Sequence, residues 1–164
     1  AASDVYKRQA VLLAGSLKIG AILAGATAED AENLYHFGMH IGVAFQLQDD
    51  LLDVYGDPEV FGKKIGGDIL CNKKTYMLIK ALEHADEKQQ EELNRWLNAE
   101  TFQPAEKIEA VTEIYNQLNI RNVCENKMRE YYTLAMESLA AVAVAEDRKK
   151  ELKNLVKLLM YREM

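Results

Sequence analysis

The 164-residue chain is 49% hydrophobic and 28% charged, the balance of a globular domain with room for one sizeable core. A formal net charge of −6 with no basic block argues against non-specific nucleic-acid binding. The two cysteines, Cys71 and Cys124, stand in no paired spacing, which predicts reduced thiols in a cytoplasmic protein.

Only two prolines and nine glycines interrupt long stretches of helical period, and no Val/Ile/Thr-rich alternating run reads as a strand. The predicted class is an all-α helical bundle. The chain opens Ala1-Ala2-Ser3-Asp4 without a methionine, and residues 3–9 read as a non-native junction. From Ala10 to Ala26 the residues are apolar nearly all round, broken by Gly15, Ser16, Lys18 and Gly20, which predicts a helix buried inside a bundle. Lys7-Arg8 before it and Ala24-Gly25-Ala26 after it have the look of a secretory signal. Lys18 at its centre and the lack of cysteine pairing argue against that reading. The stretch also falls short of the roughly 20 apolar residues of a membrane span, so no stable membrane insertion is expected.

Thr27 and Asp30 form a near capping box that opens a second helix, Ala28 to Tyr55. Leu34, Phe37, Ile41, Phe45, Gln48 and Leu52 mark its inner face. Gly38 and Gly42, one turn apart, let a neighbouring helix come close. Gly56-Asp57-Pro58 stops it, and residues 57–67 form the one glycine-rich loop. Further helices are predicted at Asn72–His84, Glu87–Asn98, Pro104–Leu118, Ile120–Val144 and Asp147–Tyr161, with Pro104 in a first turn where it is tolerated. Leu152, Leu155, Val156 and Leu159 give the last one an apolar stripe. No repeat or linker divides the chain, so residues 1–164 are read as one domain.

The informative stretch is Phe45-Gln46-Leu47-Gln48-Asp49-Asp50-Leu51-Leu52-Asp53. On a helix Asp49 and Asp53 share a face one turn apart, with Asp50 offset by about 100°. The spacing predicts that all three converge on one or two cations. An ordinary solvated acidic face is the plainer reading, but like charges at these spacings cost about 0.2–0.5 kcal/mol per pair. The helix macrodipole adds about 0.3–1 kcal/mol against anions in the last turns. Leu47, Leu51 and Leu52 also flank the acids. A compensating hard cation such as Mg²⁺ answers both costs. The loop that follows, Gly62-Lys63-Lys64-Ile65-Gly66-Gly67-Asp68, and then Lys73-Lys74, supplies opposite charge suited to phosphate.

The run FQLQDDLLDVYGDPEVFGKKIGGDILCNKKT resembles the second aspartate-rich motif and lysine loop of the trans-isoprenyl diphosphate synthases, or polyprenyl synthetases. AVLLAGSLKIGAILAGA and Glu29-Asp30 resemble the helices leading into that motif. The resemblance implies the all-α isoprenoid synthase fold and a magnesium-dependent transferase, cytoplasmic and homodimeric when complete. Its reaction joins an allylic diphosphate to isopentenyl diphosphate and releases pyrophosphate. Carried onto this sequence, Asp49, Asp50 and Asp53 match the DDxxD that holds Mg²⁺ against the allylic diphosphate. Lys63 and Lys73 match two diphosphate-binding lysines, Gln46 an active-site glutamine, and Asp68 an aspartate standing behind the ligands. The family's first aspartate-rich motif has no counterpart here. The chain is therefore expected to be the C-terminal part of a single synthase domain and inactive alone. The competing readings are a non-catalytic subunit supporting a partner synthase, and a related Mg²⁺-dependent terpene cyclase. The GK…GxDI loop favours the synthase.

His36 and His40 stand at i, i+4 but lack the glutamate of an HExxH, so a zinc site is the lesser reading. Cys71 has no histidine or cysteine partner in the loop. Trp96, Tyr115, Tyr131 and Tyr132 read as core or bundle surface. Arg162 lies where related chains carry basic residues near the C-terminus.

Overall fold

The computed structural model describes residues 2–57 and 65–160 and contains no strand among them. Its helices are α1 (Ala2–Leu23), α2 (Ala28–Tyr55), α3 (Gly67–Leu70), α4 (Tyr76–His84), α5 (Glu87–Asn98), α6 (Pro104–Gln117), α7 (Ile120–Ala141) and α8 (Glu146–Met160). The all-α class holds, and α2 has the bounds its pattern implies. Thr27 caps it, its hydroxyl accepting the Asp30 amide at 3.1 Å. The Asp30 carboxylate does not complete the capping box, because it accepts the Ala143 amide at 2.7 Å instead.

Three helices begin elsewhere than the sequence indicates, α8 by one residue, at Glu146 rather than Asp147. The first starts at Ala2 rather than Ala10. α4 starts at Tyr76 rather than Asn72, because Asn72 takes a left-handed φ of 53° and Thr75 is an extended cap accepting the Leu78 amide. Asp86 and Gln89 cap α5 reciprocally, a full capping box.

The chain divides into two compact units, with the boundaries falling inside α2 and α7. One unit comprises α1, α2 as far as Gln48, and the chain from Asn126 onward. Its core joins Phe37, Ile41 and Ala44 of α2 with Ala135 and Leu139 of α7 and Val156 and Met160 of α8. Here α1 and α2 pack through small residues. A β-carbon added at Gly38 would lie 2.6 Å from the Ala14 Cα, and one at Gly42 2.6 Å from the Ala10 Cβ.

The side of α1 turned inward is therefore Tyr6, Ala10, Ala14 and Ala21. Most of its large apolar residues face outward: Leu12 and Leu23 are 80% and 82% exposed, with Val11, Ile19 and Ile22 also open, while Leu17 packs against the core. This corrects the expectation of a helix buried all round: one face, mostly small residues, is covered in this chain.

The second unit, Asp49 to Glu125, is centred on buried Leu51, Met77, Leu93 and Ile120. It carries the acidic cluster.

Candidate active site

The three clustered carboxylates occupy different environments. Asp49 is exposed, Asp50 is wholly buried, and Asp53 is half-buried in the last turn of α2. The helix places no basic residue in that turn to offset them. Charge balance comes from the returning chain, which is clasped to the helix end. Gly66, at a φ of 84°, donates its amide to the Asp53 carbonyl at 2.6 Å. The Asp68 amide donates to Asp53 Oδ2 at 2.9 Å. Gly66 must remain glycine here, since a β-carbon would meet Ile108 at 2.6 Å as well as a left-handed backbone.

This clasp delivers Lys73. Its Nζ bonds Asp50 Oδ1 at 2.9 Å and Asp68 Oδ2 at 2.7 Å. Burial alone would depress the Lys73 amine, but the bonds to Asp68 and Asp50 outweigh it and hold the pKa well above the ordinary lysine range. Lys73 is therefore a fixed cation at any physiological pH. Asp53 is pushed the other way. Burial raises its pKa, the Asp68 amide opposes the shift, and the neighbouring Asp68 and Asp49 carboxylates add to it. A carboxylate destabilised by burial and by other anions gains from an added cation.

Sequence reasoning expected Asp49, Asp50 and Asp53 to share the metal. The structure pairs buried Asp50 with partly exposed Lys73, and sets exposed Asp49 and half-buried Asp53 one turn apart on α2. Among the described residues no cluster of three or more His, Cys, Asp or Glu forms a ready-made metal cage. Two carboxylates do fit a hard cation that keeps water or phosphate oxygens in its remaining positions. Asp68 joins both groups: its carboxylate accepts from Lys73 and its amide donates to Asp53. Lys63 and Arg162 lie outside the described residues.

Gln46 is half-buried on α2 and lines an apolar cavity of about 230 Å³ with Gln9, Ala10, Leu13, Phe45 and Leu159. Gln48, counted with the apolar stripe, is 3% exposed and ties α2 to the end of α8, its Nε2 donating to the Met160 carbonyl at 3.0 Å. His36 pairs with Glu32 and stacks on His40 at 6.3 Å. Cys71 is exposed and Cys124 is buried, each as a reduced cysteine.

A family model described as Polyprenyl synthetase matches residues 3–118. The chain belongs to the polyprenyl synthetase family. It is 46% identical over 89 residues to the short chain isoprenyl diphosphate synthase of Methanothermobacter thermautotrophicus, covering 54% of this chain and 27% of that protein. A crystal structure of a geranylgeranyl pyrophosphate synthase superposes with a TM-score of 0.89 at 34% identity, over 99% of this chain and 51% of the other. The Corynebacterium glutamicum geranylgeranyl pyrophosphate synthase complexed with isoprenyl diphosphate and magnesium is 31% identical, with a TM-score of 0.76 over 88% of this chain and 41% of that one. These likenesses establish the isoprenoid synthase fold. The chain spans no more than about half the length of these polyprenyl synthetases. No helix among the described residues is long and apolar enough to cross a membrane.

Proposed function

We propose that this chain is the C-terminal part of a single synthase domain and carries the metal-facing half of a trans-prenyltransferase site. The complete protein condenses an allylic diphosphate with isopentenyl diphosphate to a longer prenyl diphosphate. The observation that supports this most directly is an exposed and a half-buried carboxylate one turn apart, Asp49 and Asp53, beside a lysine kept cationic by two further aspartates.

In this reading Asp49 and Asp53 hold Mg²⁺, and Asp50 acts one layer back by fixing Lys73. Bound Mg²⁺ supplies electrostatic stabilisation of the negative charge on departing pyrophosphate. Lys73 contributes a preorganised positive charge at the same place, and the family resemblance assigns Lys63 a diphosphate-binding role as well. Gln46, one turn before the acids in sequence, is the active-site glutamine that the family resemblance implies. The allylic carbon–oxygen bond breaks, the isopentenyl double bond supplies the electron pair for the new carbon–carbon bond, and a proton then leaves to the released pyrophosphate. This chain's residues thus bind and orient the leaving group. The reaction needs no nucleophilic side chain.

We further propose that the complete protein is a cytoplasmic homodimer, in line with the family resemblance. The test of the activity is incubation of the full-length protein with labelled isopentenyl diphosphate and an allylic primer, with and without EDTA. A longer prenyl diphosphate that vanishes with EDTA supports the reading. No product from dimethylallyl, geranyl or farnesyl diphosphate would overturn it in favour of a non-catalytic subunit or a cyclase.

A further inference from the structure

Lys107 on α6 is 1% exposed, yet among the described residues no carboxylate lies within ion-pair distance of it. Burying an ammonium costs several kcal/mol even after relaxation, and a methionine would occupy a similar channel without that cost. Burial pushes the Lys107 amine below its ordinary pKa, with the nearby Cys71 thiol opposing. The compensation is specific. Its Nζ donates to Asn72 Oδ1 at 2.7 Å and lies 4.2 Å from the centre of the Phe102 ring. The other end of the same amide is also fixed, Asn72 Nδ2 donating to the Leu97 carbonyl at 3.0 Å.

Asn72 is one of the two non-glycine residues with positive φ among those described, at 53°. That conformation costs about 1–2 kcal/mol, so the side-chain bonds offset a real strain. The left-handed turn at Asn72 sets where the next residue leaves the backbone, and the next residue is Lys73. The Lys73 amide is fixed in turn to the Asp68 carbonyl at 2.9 Å. The space around the three groups is a cavity of about 20 Å³, bounded by Asp68, Asn72, Lys73, Thr75, Lys107 and Tyr115 among others. A volume comparable to one water leaves little room for another rotamer.

We propose that Lys107 is a positioning residue for Lys73, acting through Asn72, so that a buried cation on α6 sets the place of the diphosphate-binding cation in the loop. The proposal rests on the reading of Lys73 as a diphosphate-binding residue. Lys107 itself touches no ligand.

The test uses Lys107→Met and Asn72→Gly in the full-length protein. Glycine keeps the left-handed turn while removing the amide. Trace acetylation with acetic anhydride, read by mass spectrometry, reports how freely the Lys73 amine is released, and steady-state kinetics report KM for the allylic diphosphate. Loss of one charge-assisted hydrogen bond corresponds to about tenfold, so both variants should label Lys73 about tenfold faster. KM should rise by a similar factor, with kcat changed less. Asp86→Ala removes the α5 cap and serves as a purely structural control; it should leave Lys73 labelling and KM unchanged despite a lower melting temperature. Labelling and KM within twofold of wild type in either variant would overturn the proposal, as would faster labelling with unchanged KM. If Lys107→Met does not fold, Asn72→Gly decides alone. If the wild-type protein makes no prenyl product, the functional reading fails, and Lys73 labelling still decides whether the brace exists.

Discussion

Asp49 and Asp50 are neighbours in sequence, yet one is exposed and the other wholly enclosed beside Lys73. Their removal should therefore register in different measurements. On the proposed reading Asp53→Ala, like a change at Asp49, removes a metal-holding oxygen and should cut turnover by about 10²–10³, the scale of a lost preorganised electrostatic contact. Asp50→Ala breaks a buried ion pair and leaves Lys73 with Asp68 alone. It should cost stability as well, about 3 kcal/mol, at the lower end of the range for such pairs because Lys73 is partly exposed. Urea denaturation of the two variants separates the effects: equal loss of stability in both would contradict the division of roles.

His40 gives a pH signature in the other unit. Burial lowers its pKa from the ordinary histidine value, with the Leu134 carbonyl and Glu137 opposing and His36 reinforcing. The unfolded chain then binds the proton more readily than the folded one between the lowered value and about 6.5. Stability should fall as pH drops through that window and be flat above it. His40→Gln should flatten the dependence in a melting series from pH 7.5 to 5.5. An unchanged slope would exclude His40 as its source.

At the level of helices, most boundaries were legible because caps and stops are local signals. Thr27 opens α2, Gly56 ends it, and Asp86 opens α5, each through bonds within a few residues. The close approach at Gly38 and Gly42 was legible too, since missing side chains a turn apart admit a neighbour. Gly38→Ala should thus overpack against the Ala14 backbone and cost about 1–3 kcal/mol. Thermal unfolding checks this, and an unshifted melting temperature would show that α1 yields freely.

The start of α4 and the burial of Asp50 were not legible. Asn72 is left-handed because Lys107, thirty-five residues on, and Leu97 hold its side chain. Asp50 turns inward because Lys73 arrives across a loop. Period and spacing show which residues share a helix face; they do not show which long-range partner claims each one. The same holds for Asp30, where proximity pointed to the Thr27 cap and Ala143 captured the carboxylate.

Over the whole chain, the polyprenyl synthetase motif carried more information than the composition did. Composition and period established helices and a core; the ordered run of FQ, DDxxD, GK and GxDI pointed to the chemistry. Nothing in the period showed that Leu12, Ile19, Ile22 and Leu23 would stand uncovered on α1. Several large apolar residues open along one helix form the kind of patch that binds other apolar surfaces. The 164-residue chain alone should therefore enhance the fluorescence of a hydrophobic dye such as ANS. Leu12→Lys with Leu23→Lys should reduce that signal at least twofold while leaving helical content unchanged. Equal dye binding by wild type and the double variant would place the responsive surface elsewhere.

The most direct test of the central claim is the turnover number of Asp49→Ala in the complete protein, measured at saturating substrates and Mg²⁺. Asp49 is exposed, so a loss of turnover with an unchanged melting temperature can be assigned to the site. We expect kcat to fall by two to three orders of magnitude, or about 10²–10³, with normal folding. Turnover within a few-fold of wild type would contradict the assignment of Asp49 to the metal and, with it, the account of the site given by the paired carboxylates.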